Sequence, residues 1–459
     1  MHSIWAVAKN TIKQALRMKV AVIFIVLLAV LLPFMGISMT GDGTLKGKLQ
    51  SFVSYGLSLT NLLLCLLTIV ISVYTLTSDI KQRQIYTVLT KPIRRFQLLL
   101  GKLLGVVLLD VAMLIVFSAV IYTITVYTPK FFNTSEAELT QLNNEFYTAR
   151  ASLVPNEIDI TKETDESYER LEKTGQLPPG VTDSQASRRG YKRALANRIE
   201  LSKRAATVGQ DLLWEFNNVK PLSSDQSLFI RFKYDVSVNP PDLQVFGRWN
   251  IGDYRQIKYG TQIDRPIYRF DRKDLIRTFY EIEVPADAVA EDGYLAVNFL
   301  NVPLNNTVVI FPLKDGLEVL YKADSYTANF LRVVCLILFR LIFLACLGIL
   351  ASSFLSFPVA ILFCLVIFFA SSFSSFCLES FAYLGEGASG VYSYTMKPII
   401  QLFPQFDKLN PSKFLVPANL LSWSLLARVA ASLVGIRAVL LWLLGLLIFS
   451  YREIARIII

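Results

Sequence analysis

Six stretches of the chain are apolar over the length of a membrane span, and the polar residues between them fall into sharply bounded groups. The apolar runs cover residues 20–39, 52–77, 98–127, 330–351, 354–377 and 424–450. At 1.5 Å per residue, each is long enough to cross the roughly 30 Å of bilayer hydrocarbon. The pattern predicts a polytopic α-helical membrane protein with six transmembrane helices. The first run contains Pro33, and no small-residue cleavage site follows it in a suitable place, so it reads as a span rather than a removable leader.

Between the third and fourth runs the period changes twice. Residues 134–216 carry helical spacing. "TSEAELTQLNNEFYTARASL" opens with cap-forming residues and acids, then spaces Leu139, Leu142, Phe146 and Ala149 along one face. "PPG" at 178–180 predicts a turn, followed by a basic helix over 185–215. From residue 225 to 321 the alternation becomes period two. Leu228, Ile230, Phe232, Tyr234, Val236 and Val238 share a face opposite Arg231, Lys233 and Asp235. "TFYEIEV" and "GYLAVNFLNV" repeat the alternation, which predicts an antiparallel β-sandwich.

The predicted organisation is therefore 1–127 (an N-terminal helix and helices 1–3), 128–222 (a helical region), 223–327 (the sandwich) and 328–459 (helices 4–6). The middle two parts form one large extracytoplasmic α+β insertion between helices 3 and 4. Trp214, Phe232, Trp249, Tyr254, Tyr268 and Phe279 read either as sandwich core or as a face that stacks on glycan or lipid. Asn305-Asn306-Thr307 fits a glycosylation sequon.

Charge gives the orientation. Residues 128–327 hold 25 Lys+Arg against 29 Asp+Glu, and the remainder holds 21 against 7. The basic excess lies beside span ends: Lys9, Lys13, Arg17 and Lys19, then the 78–97 loop, then Arg452 and Arg456. The positive-inside rule places both termini and that loop in the cytoplasm and residues 128–327 outside. Charges that track membrane boundaries argue against nucleic acid as a partner. Residues 1–19 put Ile4, Val7, Ala8, Ile12, Ala15 and Leu16 on one helical face with Lys9, Lys13 and Arg17 on another, as in a helix lying at the membrane surface.

The loop itself reads "TSDIKQRQIYTVLTKPIRRFQLLLGKLLG", residues 77–105. Ser78 and Asp79 can cap a short amphipathic helix, Pro92 ends it, and Arg94 and Arg95 begin the return into the membrane. Such a segment presents fixed basic side chains to the cytoplasm. It resembles the signature of ABC-2 type transporter permeases at Asp79, Arg83, Thr87, Leu89, Pro92, Arg95, Leu100, Gly101, Lys102 and Gly105. Residues 348–369 are similar to that family's turn between spans 4 and 5, and residues 403–454 to its last loop and span.

The resemblance implies the membrane subunit of an ABC transporter. Asp79, Lys81, Arg83, Thr87, Pro92, Arg94 and Arg95 would form the coupling surface for a P-loop ATPase subunit. A second permease subunit, identical or related, would complete the pathway. The substrate, exported by analogy, would be a lipid, glycan or other amphiphile from the cell (inner) membrane.

The chain itself supplies no ATPase chemistry. No G-x-x-x-x-G-K-[ST] occurs, so ATP and its magnesium are expected on the partner and no cofactor in this chain. His2, at the very start of the chain, is the only histidine, which argues against a Ser-His-Asp triad and leaves no Cys/His metal cluster; the chain does not read as an enzyme. The five cysteines lie in or beside spans.

Three ionisable residues fall deep in the spans, Asp110, Arg340 and Arg437, at a similar depth of roughly 16–20 Å. An unpaired charge there is costly, so Asp110 is expected to pair with Arg340 or with Arg437. The competing reading is a membrane-anchored binding protein whose external domain meets a partner or glycan without transport.

Overall fold

Unbroken runs of Leu, Ile, Val and Phe, with prolines and glycines confined to a few positions, leave little alternative to helix inside a bilayer, where each backbone group must bond within its own segment. The computed structural model describes all residues except 1, 40, 42, 82–93, 132–133, 156–159, 179–180, 182–184, 221–226, 257–264, 313–315, 382–385 and 452–459. The chain forms two units, Met1–Ala149 with Ser325–Ile459, and Arg150–Asp324.

The helices in chain order are α1 (His2–Leu16), α2 (Lys19–Ile37), α3 (Leu45–Lys81), α4 (Arg95–Phe131), α5 (Glu136–Glu145), α6 (Ile160–Lys173) and α7 (Gln185–Ser202). They continue with α8 (Tyr326–Phe354), α9 (Phe357–Phe381), α10 (Glu386–Leu402), α11 (Ser412–Leu415) and α12 (Trp423–Tyr451). Among the described residues α2, α3, α4, α8, α9 and α12 are long and apolar enough to cross a membrane.

Their burial ranks them. The apolar windows of α8 and α3 are 72% and 67% buried, against 17% for α2, 28% for α9 and 22% for α12. So α3 and α8 form the centre, and the other three leave most of their surface exposed. Gly348 of α8 allows the close approach: a Cβ there would overlap the Ser72 hydroxyl of α3. Within α12, Ala430–Ala438 is wound as a π-helix, a local widening often found at functional sites.

At the start of α5 the sequence expectation holds in detail. Ser135 Oγ accepts from the Glu138 amide at 3.3 Å, while Glu138 Oε2 accepts from the Ser135 amide at 3.2 Å. Leu142 and Phe146 are buried in the same core as the spans.

The second unit carries antiparallel sheet. Its strands are β1 (Thr148–Leu153, which begins in the first unit), β2 (Ala205–Ala206), β3 (Asp211–Phe216), β4 (Ser227–Phe232), β5 (Asp235–Val236) and β6 (Gln244–Gly252). They continue with β7 (Tyr268–Leu275), β8 (Tyr280–Pro285), β9 (Leu295–Asn301), β10 (Val309–Ile310) and β11 (Leu317–Ser325). Two four-stranded sheets have the orders β1-β11-β4-β8 and β3-β9-β6-β7, and a three-stranded one runs β2-β10-β5. Side chains from all three sheets meet in one buried cluster around Trp249, Phe232 and Phe299.

Three expectations need correction here. The helix expected over 185–215 ends at Ser202, because Gly209 takes φ +80 in a turn and "DLLWEF" alternates as β3. Strands β1, β2 and β3 therefore lie inside the region read as helical. The single long strand expected over 228–238 is broken after Phe232 and its two halves, β4 and β5, join different sheets. Val238 is accordingly exposed. Asn305 of the sequon is buried: its Nδ2 donates to the Phe246 carbonyl at 2.6 Å and to Asn301 Oδ1 at 2.7 Å, so it serves the fold.

The aromatic residues differ in burial. Phe232 and Trp249 are core, 4.3 Å apart between ring centres. Phe279 is exposed, with the Arg231 and Lys233 cations 4.5 and 4.9 Å above its ring.

Candidate functional site

The basic loop of the sequence lies where α3 ends and α4 begins. Of the residues singled out there, Arg83, Thr87 and Pro92 fall outside the described residues, with the centre of the 78–97 segment. Asp79, Lys81, Arg94 and Arg95 are described, and they behave differently from one another.

Lys81 and Arg94 are exposed. Asp79 is buried, one turn from the end of α3, and so is Lys102 of α4. Lys102 Nζ lies 2.5 Å from Asp79 Oδ2 and donates to the Thr75 carbonyl at 2.7 Å. Gln14 Nε2 of α1 donates to Asp79 Oδ1 at 3.2 Å. A buried lysine needs its charge met and its protons bonded, and these groups supply both. The result is a polar junction that ties three helices together. In the sequence Lys102 reads as one of the basic side chains that the 77–105 segment presents to the cytoplasm; the structure corrects this, because its long stem turns inward to the carboxylate.

Glycines make the junction possible. Gly101 and Gly105 sit one turn apart on α4, and a Cβ on either would meet α1: Val7 Cβ at 2.7 Å and the Ile4 carbonyl at 2.9 Å for the first, Thr11 Cβ at 2.7 Å and the Ala8 carbonyl at 2.8 Å for the second. The small-x-x-x-small spacing lets two helix backbones approach closely. Thus α1 buries Ala8, Thr11 and Ala15 and leaves Lys9 and Lys13 exposed. The amphipathic pattern of residues 1–19 served helix packing, and the spacing of Gly101 and Gly105 was the signal for it.

Arg95 makes a second tie. Its Nη1 donates to the Phe449 carbonyl at 3.3 Å and to that of Ser450, at the far end of α12. A cation there also suits the negative end of the helix dipole. Between these ties, Leu76, Leu98, Leu99, Ile349 and Phe449 form one small buried cluster from α3, α4, α8 and α12.

The three charges deeper in the bundle do not assemble into one site. Asp110 of α4 is buried, and its Oδ1 lies 2.9 Å from Thr68 Oγ1 of α3. That hydroxyl is also 2.8 Å from the Leu64 carbonyl, so one hydrogen stands between two acceptors. Asp110 Oδ2 has no partner among the described residues. Arg340 of α8 donates from Nη2 to the Phe406 and Leu409 carbonyls at 2.9 and 3.3 Å and stacks on the Phe406 ring at 4.6 Å.

The expected Asp110–Arg340 pair is therefore replaced by backbone partners, since the 403–411 segment folds back into the bundle. That segment is also held by α9: Ser375 bonds Asp407 through both its amide and its hydroxyl, at 2.8 and 2.7 Å. Arg437 is half-buried in the π-helical part of α12, and no described ion pair joins it to Asp110.

The junction of α1, α3 and α4 lies within the part of the chain that known families recognise. No curated protein and no solved structure matches the chain. Residues 5–148, which hold most of α1, all of α2 to α5 and every group of the Asp79–Lys102 junction, match the family model described as ABC-2 family transporter protein.

Proposed function

We propose that the chain is the permease subunit of an ABC transporter, worked by ATP that a separate P-loop subunit hydrolyses. The observation that carries this reading is the coincidence of the family match with the tied helix ends: the matched residues include α3, the 78–97 segment and α4. The partner ATPase would dock on the 78–97 segment, with Asp79, Lys81, Arg83, Thr87, Pro92, Arg94 and Arg95 in or beside the contact.

Displacement of that segment would not bend one helix alone. Through Asp79, Lys102 and Gln14 it would draw α1, α3 and α4 together, and through Arg95 it would reach α12. Packed helices held by several bonds move as bodies, which is what a transmission element requires. In this reading both termini and the 78–97 segment are cytoplasmic, residues 128–327 are extracytoplasmic, the membrane is the cell (inner) membrane, and two permease subunits form the pathway. The substrate would be a lipid, glycan or other amphiphile, leaving the cell. Any ATP and magnesium belong to the partner.

The test is a mild-detergent purification from the native host with mass spectrometry of what accompanies the chain. A P-loop ATPase should arrive with the wild type and be lost with Arg94→Glu/Arg95→Glu. Arrival of envelope proteins or glycan without any ATPase would sink the permease reading and favour an anchored binder.

A further inference from the structure

We propose that the cleft beside the α1–α2 elbow binds the headgroup of an anionic phospholipid. The cleft has a volume of about 970 Å³ and lies in the first unit, between the elbow, the end of α3 and the turn from α8 into α9. Three cations line it: Arg17, Lys19 and Lys81. All three are exposed, none forms an ion pair with a described carboxylate, and no carboxylate is among the described residues that line the cleft. The nearest acid along α3, Asp79, is already committed to Lys102. Helix α2 starts at this cleft, and its N-cap residue, Met18, offers no side-chain cap, so its first amide protons add to the positive field.

Apart from Thr77, Ser78 and Ser356 the rest of the described lining is aliphatic or aromatic, and this separates a lipid from a free anion. Tyr74 and Phe357, both in the lining, pack edge to face at 6.1 Å. Val20, Phe354 and Phe357 are 42, 43 and 37% exposed at the rim. The rim continues into α2 and α9, two of the three span-length helices that bury least of their surface. A phosphate held by the three cations would leave its acyl chains along those two apolar faces. A soluble phosphate would gain nothing from them, and a zwitterionic headgroup would bring its own cation against Arg17, Lys19 and Lys81. The cleft would hold such a lipid whether or not the chain moves a substrate.

The test uses the full-length protein in mild detergent and reads its thermal midpoint. Additions are phosphatidylglycerol, phosphatidylcholine or glycerol phosphate. At saturating phosphatidylglycerol the midpoint should rise by about 5 °C, with little response to the other two. Arg17→Gln/Lys19→Gln/Lys81→Gln should abolish the rise, and Lys81→Glu alone should remove at least half of it if the triple variant does not fold. Lys9→Gln/Lys13→Gln, on the same first helix but off the cleft, should keep the full rise. An equal response to phosphatidylcholine, an equal response to glycerol phosphate, or an equal loss in the Lys9/Lys13 control would each overturn the assignment.

Discussion

Lys102 of α4 lies 2.5 Å from Asp79 of α3, and both side chains are buried where α1 crosses the two helices. The pair is expected to be worth most when broken on one side. Lys102→Met should lower stability by about 3–5 kcal/mol, because it strands the Asp79 carboxylate with Gln14 alone. Asp79→Leu should do the same by stranding the ammonium. The double variant should regain most of the loss, since two apolar groups of similar volume replace two charges. Thermal unfolding of the purified chain measures all three. A double variant as unstable as the sum of the singles would show that the junction matters for reasons other than charge.

Gly348 predicts a size-swap. A Cβ at this position would overlap the Ser72 hydroxyl and stand 2.8 Å from Ser72 Cβ, so Gly348→Ala must push α8 from α3. Overpacking of this kind costs about 1–3 kcal/mol. Ser72→Gly alone should cost less than Gly348→Ala, and the pair Gly348→Ala/Ser72→Gly should recover at least half of the loss. The readout is again the unfolding midpoint, and no recovery in the pair would mean that the contact is not the cause.

These two sites show what a single sequence discloses and what it hides. The six spans are visible because apolar runs of that length have one physical solution in lipid, and the capping box at Ser135 is local chemistry. Lys102 is different. A lysine at the start of a span reads as an exposed cytoplasmic charge, and only the turn of the helix and the position of Asp79 reveal that it points inward. The break between β4 and β5 is hidden for a related reason: Tyr234 and Val236 keep the alternation of β4, yet β5 pairs with β10 instead of continuing with β11. Arg340 finds its partners 66 and 69 residues away on backbone carbonyls, which no side-chain pattern encodes.

Arg340 should therefore act on one segment of the chain. Arg340→Met removes two bonds from a charged donor and the cation above Phe406, a loss of about 3 kcal/mol. The loss should appear as faster amide hydrogen exchange over residues 403–411, with the 244–301 strands unchanged. Asp110→Asn should leave exchange in 403–411 at the wild-type rate, because Asp110 bonds Thr68. Equal effects of the two variants on that segment would restore the direct pair that the sequence suggested.

In the second unit, acid sensitivity should follow Asp253. Arg255 grips this buried carboxylate from two nitrogens, Nε at 2.9 Å and Nη2 at 2.7 Å, and the Arg255 amide donates to it at 3.0 Å. Arg255 also reaches Asp292. These bonds, the Arg255 side chain first, hold the Asp253 carboxyl below its usual range. A carboxylate whose folded pKa lies below its unfolded one contributes its full stability above the unfolded value, about pH 4, and loses it as pH falls through the folded value. The turn from Ala290 to Tyr294 and strand β6 should thus open progressively below about pH 4. Asp253→Asn should lose about 2 kcal/mol at neutral pH and show a flatter acid profile, since the group that titrates is gone. Hydrogen exchange of residues 244–252 and 290–294 in the full chain, corrected for the intrinsic rate at each pH, measures both. An acid profile in Asp253→Asn as steep as in the wild type would assign the sensitivity to another carboxylate.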